Sequence, residues 1–129
     1  MGSLTFCAAT HVYRLDGVVV PSVTQCLSLA GLVDLSQIDP ARLAAASRRG
    51  TAVHLATELD DLDDLDETSV TDEVRPYLTA WRRFRTDSGL VIQLVEHRVV
   101  HVGHRYAGTI DRVGLVKGRR EIIDLKSGT

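Results

Sequence analysis

The hydrophobic period of this chain changes from helical to extended at Gly89, and that change restricts the fold more than any other feature. From Asp39 to Leu59 and again from Val70 to Arg85 the apolar side chains recur at helical spacing, whereas from Leu90 onward they alternate as in extended strands. Asp39-Pro40 is a cap followed by a first-turn proline and predicts a helix through Leu59. A second long helix is expected from Val70 to Arg85, its apolar stripe formed by Tyr77, Leu78, Trp81 and Phe84. Beyond Gly89, Leu90 to His101, Arg105 to Val116 and Arg120 to Lys126 read as three strands, the last two joined by a Lys117-Gly118 turn. The resulting order is αβββ, a mixed α/β (α+β) class.

Ahead of this block, Thr10 to Leu15 and Val18 to Val20 flank an Asp16-Gly17 turn signal and predict a small hairpin stopped by Pro21. Ser22 or Thr24 then caps a short helix through Leu32. At 129 residues the chain suffices for one sheet with covering helices, so a single domain over residues 1–129 is expected. No apolar run approaches the ~20 residues that span a bilayer, and the Met-Gly-Ser-Leu-Thr-Phe start lacks the blocks of a signal peptide. Cys7 and Cys26 form neither a disulfide framework nor a Cys-x-x-Cys metal site, which fits a cytoplasmic protein.

The net charge of −2 hides an uneven distribution. Seven of the 17 acidic residues lie between Glu58 and Glu67, so Asp60 to Glu67 reads as an exposed loop. Without those seven, 15 basic residues face 10 acidic ones, and 13 of the 15 are arginine, the side chain that grips phosphate in a fork. An anionic partner is therefore open, against the plainer reading of a solvated arginine surface.

The strands hold carboxylates where strands disfavour them. Asp111 lies in Gly-Thr-Ile-Asp-Arg-Val, and Asp124 and Lys126 share one face of the last strand because side chains alternate. Asp111 and Asp124, across a hairpin, can converge as the oxygen ligands of Mg²⁺ or Mn²⁺, with Glu96 an outer member. A cross-strand salt bridge to Arg112 or Lys126 explains the same spacing. His54 on the long helix is either half-buried packing or an acceptable imidazole ligand. His97, His101 and His104 permit a zinc cluster but offer no cysteine beside them.

In order, these residues are Gly-x-x-x-His (Gly50 to His54), a strand glutamate (Glu96), Gly-x-x-Asp (Gly108 to Asp111) and Asp-x-Lys (Asp124 to Lys126) followed by Ser-Gly. The series resembles the PD-(D/E)XK nuclease superfamily in its RecB-like exonuclease branch, and Pro21-Ser22-Val23-Thr24 after a hairpin resembles its phage and bacterial members. The resemblance implies a restriction-endonuclease-like αβββ core and metal-dependent hydrolysis of DNA, with an exonuclease expected. It implies that His54, Asp111, Asp124 and the Leu125 carbonyl bind Mg²⁺ or Mn²⁺, that Glu96 takes a second ion or a water, and that Lys126 orients or deprotonates the attacking water. Phosphate contacts are expected from Arg48, Arg49, Arg105 and Arg112, with Ser22 and Thr24 as neutral donors. The branch carries a Gln-x-x-x-Tyr helix and a further strand after Asp-x-Lys, and this sequence has neither. A truncated or minimal domain is therefore expected, or one whose missing layer comes from a second copy in a homodimer. The rival expectation is a non-catalytic nucleic-acid-binding or assembly module on the same scaffold.

Overall fold

Asp39 begins the longest helix as the sequence requires: its Oδ2 accepts the Arg42 N–H at 3.1 Å, and Pro40 occupies the first turn. The computed structural model describes residues 2–127. It has mixed α and β structure, with two three-stranded sheets and three α-helices among the described residues. The strands are β1 (Leu4–Cys7), β2 (Val12–Leu15), β3 (Val18–Val20), β4 (Val91–His101), β5 (Tyr106–Val116) and β6 (Arg119–Ile123). The helices are α1 (Val23–Leu29), α2 (Pro40–Asp61) and α3 (Arg75–Ser88). No helix among the described residues is long and apolar enough to cross a membrane.

Contacts divide the chain into two compact units, Met1–Gln37 with His97–Ile110, and Ile38–Glu96 with Asp111–Thr129. In the first, β1, β2 and β3 form an antiparallel sheet. Asp16 and Gly17 both have positive φ, 51° and 81°, the twist that a two-residue hairpin turn needs. Tyr13, Leu15, Val20 and Ala107 form the core, with Leu4 and Phe6 packed against it. Strand β1 adds to the hairpin expected from Thr10 onward; its alternation is only two repeats long, too short to register as a period. Ser22, not Thr24, caps α1, in a capping box where Ser22 Oγ accepts the Gln25 N–H and Gln25 Oε1 accepts the Ser22 N–H.

The second unit holds α2, α3, the first part of β4, the last part of β5, and β6. Val53 and Ala56 of α2 pack with Val74, Leu65 and Tyr77, and Leu78 and Trp81 of α3 are buried. Helix α3 starts at Arg75 rather than Val70, because Pro76 sets its first turn and Val70 is extended after a 3₁₀ turn at Glu67–Ser69. It ends at Ser88, closed by Gly89 at φ 68°.

The acidic stretch is the expected exposed loop from residue 62 on, but its first two residues depart from that reading. Asp60 and Asp61 form the last turn of α2, and the Asp61 side chain is wholly buried. Its Oδ2 lies 2.7 Å from Arg112 Nε and its Oδ1 2.7 Å from Arg85 Nη1. Arg82 and Arg85 both pair with Asp60, and Arg82 also pairs with Glu67. Arginines from α3 and β5 thus neutralise Asp60, Asp61 and Glu67, while Asp63, Asp64 and Asp66 stay exposed.

Strands β5 and β6 are antiparallel, with Arg112 opposite Ile123 and Val116 opposite Arg119. Strand β6 ends at Ile123, so Asp124, Leu125 and Lys126 follow the strand rather than lie within it. Gly128 and Thr129, at the end of the Ser-Gly run, lie outside the described residues.

Candidate metal centre

Three side chains from three elements of the second unit meet: His54 of α2, Glu96 of β4 and Asp111 of β5. One ligand atom from each lies within 4.8 Å of the others. His54 Nδ1 is 3.3 Å from Glu96 Oε1 and 3.6 Å from Asp111 Oδ1. Its other nitrogen, Nε2, is 3.0 Å from the Leu125 carbonyl oxygen. The Leu125 N–H in turn donates to Asp111 Oδ2 at 2.8 Å. One peptide segment, buried at Leu125, therefore holds both the imidazole and the carboxylate in place.

Both imidazole nitrogens of His54 face acceptors. A carbonyl oxygen cannot donate, so Nε2 carries the proton, and the Nδ1 lone pair of a neutral ring points at two carboxylates. A second proton or a cation removes that conflict. The first route is visible in His54 itself: the Glu96 hydrogen bond raises its pKa, against burial and with help from the Asp111 charge. Asp111 bears the opposite cost. Burial pushes it up to about 6, against the pull of the Leu125 N–H, and the neighbouring Asp124 and Glu96 carboxyls add to the rise. Imidazole plus carboxylate oxygens is a donor set suited to Mn²⁺ and acceptable to Mg²⁺, and it fits the implied ion.

The arrangement differs from the expected ligand set in two places. The Leu125 carbonyl accepts from the His54 nitrogen that faces away from the carboxylates, which is the orienting role that fixes a tautomer rather than a ligand role. Asp124 is outside the three-residue group; its Oδ2 lies 2.8 Å from Lys126 Nζ, and both side chains are largely exposed. Burial raises the Asp124 pKa, but the Lys126 ammonium and hydrogen bonding with Asp111 outweigh it and leave the carboxyl below its ordinary value. Lys126 is correspondingly raised by Asp124, so it is an ammonium at neutral pH and a poor base. Conversely Glu96, expected at the margin, lies at the centre. Its φ of 47° within β4 is a left-handed kink that no alternation pattern can foresee.

The expected phosphate contacts scatter. Arg48 is exposed on α2. Arg49 is half-buried, its guanidinium 5.8 Å from the Tyr77 ring centre and its Nε without a hydrogen-bond partner among the described residues. Arg112 is wholly buried against Asp61 and 5.4 Å from the Trp81 ring, so it cannot reach a phosphate. Ser22 is buried and engaged in capping, which removes it as a donor to DNA, while Thr24 and Arg105 are exposed residues of the first unit. His97 is exposed on β4, and the His104 N–H donates to His101 Nδ1 at 3.0 Å.

Compared with protein-family models, curated proteins and solved structures, the chain matches none.

Proposed function

We propose that this chain is a divalent-cation-dependent nuclease that hydrolyses phosphodiester bonds in DNA, on a scaffold of the PD-(D/E)XK kind. The observation that carries the reading is the convergence of His54 Nδ1, Glu96 and Asp111 within 4.8 Å, beside the ion pair of Asp124 and Lys126. His54, Glu96 and Asp111 would hold Mg²⁺ or Mn²⁺. When bound, such an ion lowers the pKa of water and neutralises phosphate charge. The protein's own part is orientation and charge. Leu125 fixes His54 through its carbonyl and Asp111 through its N–H. Asp124 holds Lys126 protonated, so the ammonium offsets charge that grows on the phosphate in the transition state, a role that does not require it to lose a proton.

Incubating purified protein with end-labelled linear and closed circular DNA, with and without Mn²⁺, tests this reading. Metal-dependent cleavage that Asp111→Asn abolishes supports it, and cutting confined to linear DNA specifies an exonuclease. DNA retention with no cleavage under any cation overturns it in favour of a binding module.

A further inference from the structure

Beside the Asp124–Lys126 pair lies a groove of about 260 Å³ that the metal centre does not use. Its floor is Val53, Thr57 and Trp81, all buried. Tyr77 and Phe84 bring aromatic surface to it, and Phe84 is 42% exposed. The stretch from Ile123 to Lys126 also lines the groove. We propose that this groove is a nucleobase subsite. The proposal rests on the nuclease reading and names its substrate class: DNA whose base next to the scissile bond is unstacked, as in a single strand or a frayed end.

Size, surface and charge favour that occupant. The volume falls below the ~300–1,000 Å³ of sites that enclose drug-sized ligands, which suits one flat ring system. Trp81 is tethered, its Nε1 donating to both Asp61 oxygens at 3.0 and 2.9 Å, and its ring is stacked with Phe84 at 5.6 Å between centroids. Trp81 itself is 7% exposed with Arg112 5.4 Å from its ring, so the base stacks on the exposed Phe84 ring that the tethered indole backs, and a platform already fixed loses little conformational freedom. Lys126 lines the groove, and Arg49 lies against Tyr77, so cations accompany the aromatic surface as a phosphate-linked base requires. The Thr57 hydroxyl donates inward to the Val53 and His54 carbonyls. The floor therefore presents no hydroxyl donor to read base identity. A base within a duplex has both faces covered by its neighbours, which is why the groove selects unpaired DNA.

Trp81 is the only tryptophan of the chain, so its fluorescence reports this groove directly. In a chelating buffer, where nothing is cut, a short single-stranded oligonucleotide should quench Trp81. A blunt duplex, and the same strand with abasic terminal positions, should not. Phe84→Ala, at an exposed position that puts folding at little risk, should weaken the single-strand affinity at least ~5-fold, the lower end of what one lost stacking contact costs. Equal quenching by abasic and normal strands overturns the subsite. So does Trp81 emission that ignores DNA but shifts with protein concentration, which would assign the groove to a second copy. Metal-dependent cleavage is scored separately. Cleavage that persists with an unchanged single-strand preference in Phe84→Ala sinks the subsite and leaves the nuclease reading. Base-dependent quenching without cleavage under any cation supports the subsite and removes the nuclease.

Discussion

Replacing Asp61 by alanine tests the reasoning about both the fold and the site. Asp61 closes α2, which also carries His54, and its carboxylate accepts from Arg112, the residue after Asp111, as well as from Trp81 and Arg85. Neither Asp61 nor Arg112 has any exposed side-chain surface. Breaking one partner of a fully buried pair leaves a charge without solvent or counter-ion and costs ~3–5 kcal/mol. With Asp61 gone, the Arg112 guanidinium keeps only the neutral Asp111 carbonyl, 2.7 Å from Nη1, and the Trp81 ring, while Nη2 has no hydrogen-bond partner among the described residues, so no second carboxylate replaces the lost one. A domain of this size has ~5–15 kcal/mol in total, so the variant should stand near the edge of unfolding. At a urea slope of ~1–3 kcal/mol/M the midpoint followed by circular dichroism should fall by at least ~1 M. The double variant Asp61→Leu/Arg112→Met, which removes both charges and keeps volume, should regain part of that loss, the remainder being what Trp81 Nε1 and Arg85 forfeit with the carboxylate. A single variant within ~0.5 kcal/mol of the parent would refute the view that this pair ties β5 to α2.

Asp60 gives a pH dependence of defined sign. Hydrogen bonding from Arg82 holds its carboxyl below the ordinary 3.8, opposed by burial and helped by the Arg82 and Arg85 charges. Its stabilisation is therefore complete above pH ~4 and lost as pH falls through the lower folded value, and acid titration of Asp60→Asn should lack that component. Asp111 at about 6 and a His54 raised above its ordinary 6.5 predict that protons compete with cations at both ligands: calorimetric Mn²⁺ affinity should fall continuously as pH drops from about 8 to about 5. Lys126→Ala should lower cleavage by ~10²-fold or more while cation affinity stays within about twofold, because its ammonium acts on the transition state rather than on the ion. Parallel loss of both would make Lys126 a structural partner of Asp124.

Much of the chain was legible from local rules. The Asp39-Pro40 start, the Gly89 stop, the Asp16-Gly17 and Lys117-Gly118 turns and the change of period between α3 and β4 each follow from the conformational preferences of a few adjacent residues. The candidate site residues His54 and Asp111 were also visible, as chemically unusual side chains in helix and strand. What no local rule could supply was their grouping. Glu96 enters the centre through a single left-handed backbone step, and Asp124 pairs with Lys126 beyond β6, which ends at Ile123, three residues short of the expected Lys126. Arg112 was expected at a phosphate and is instead buried on Asp61, a residue expected in an exposed loop. All of these outcomes turn on which charges face one another across separate elements. Backbone preference is decided within a few residues of sequence, whereas the burial and pairing of a charge depend on distant partners, 51 positions apart for Asp61 and Arg112, and only the packed chain brings those partners together.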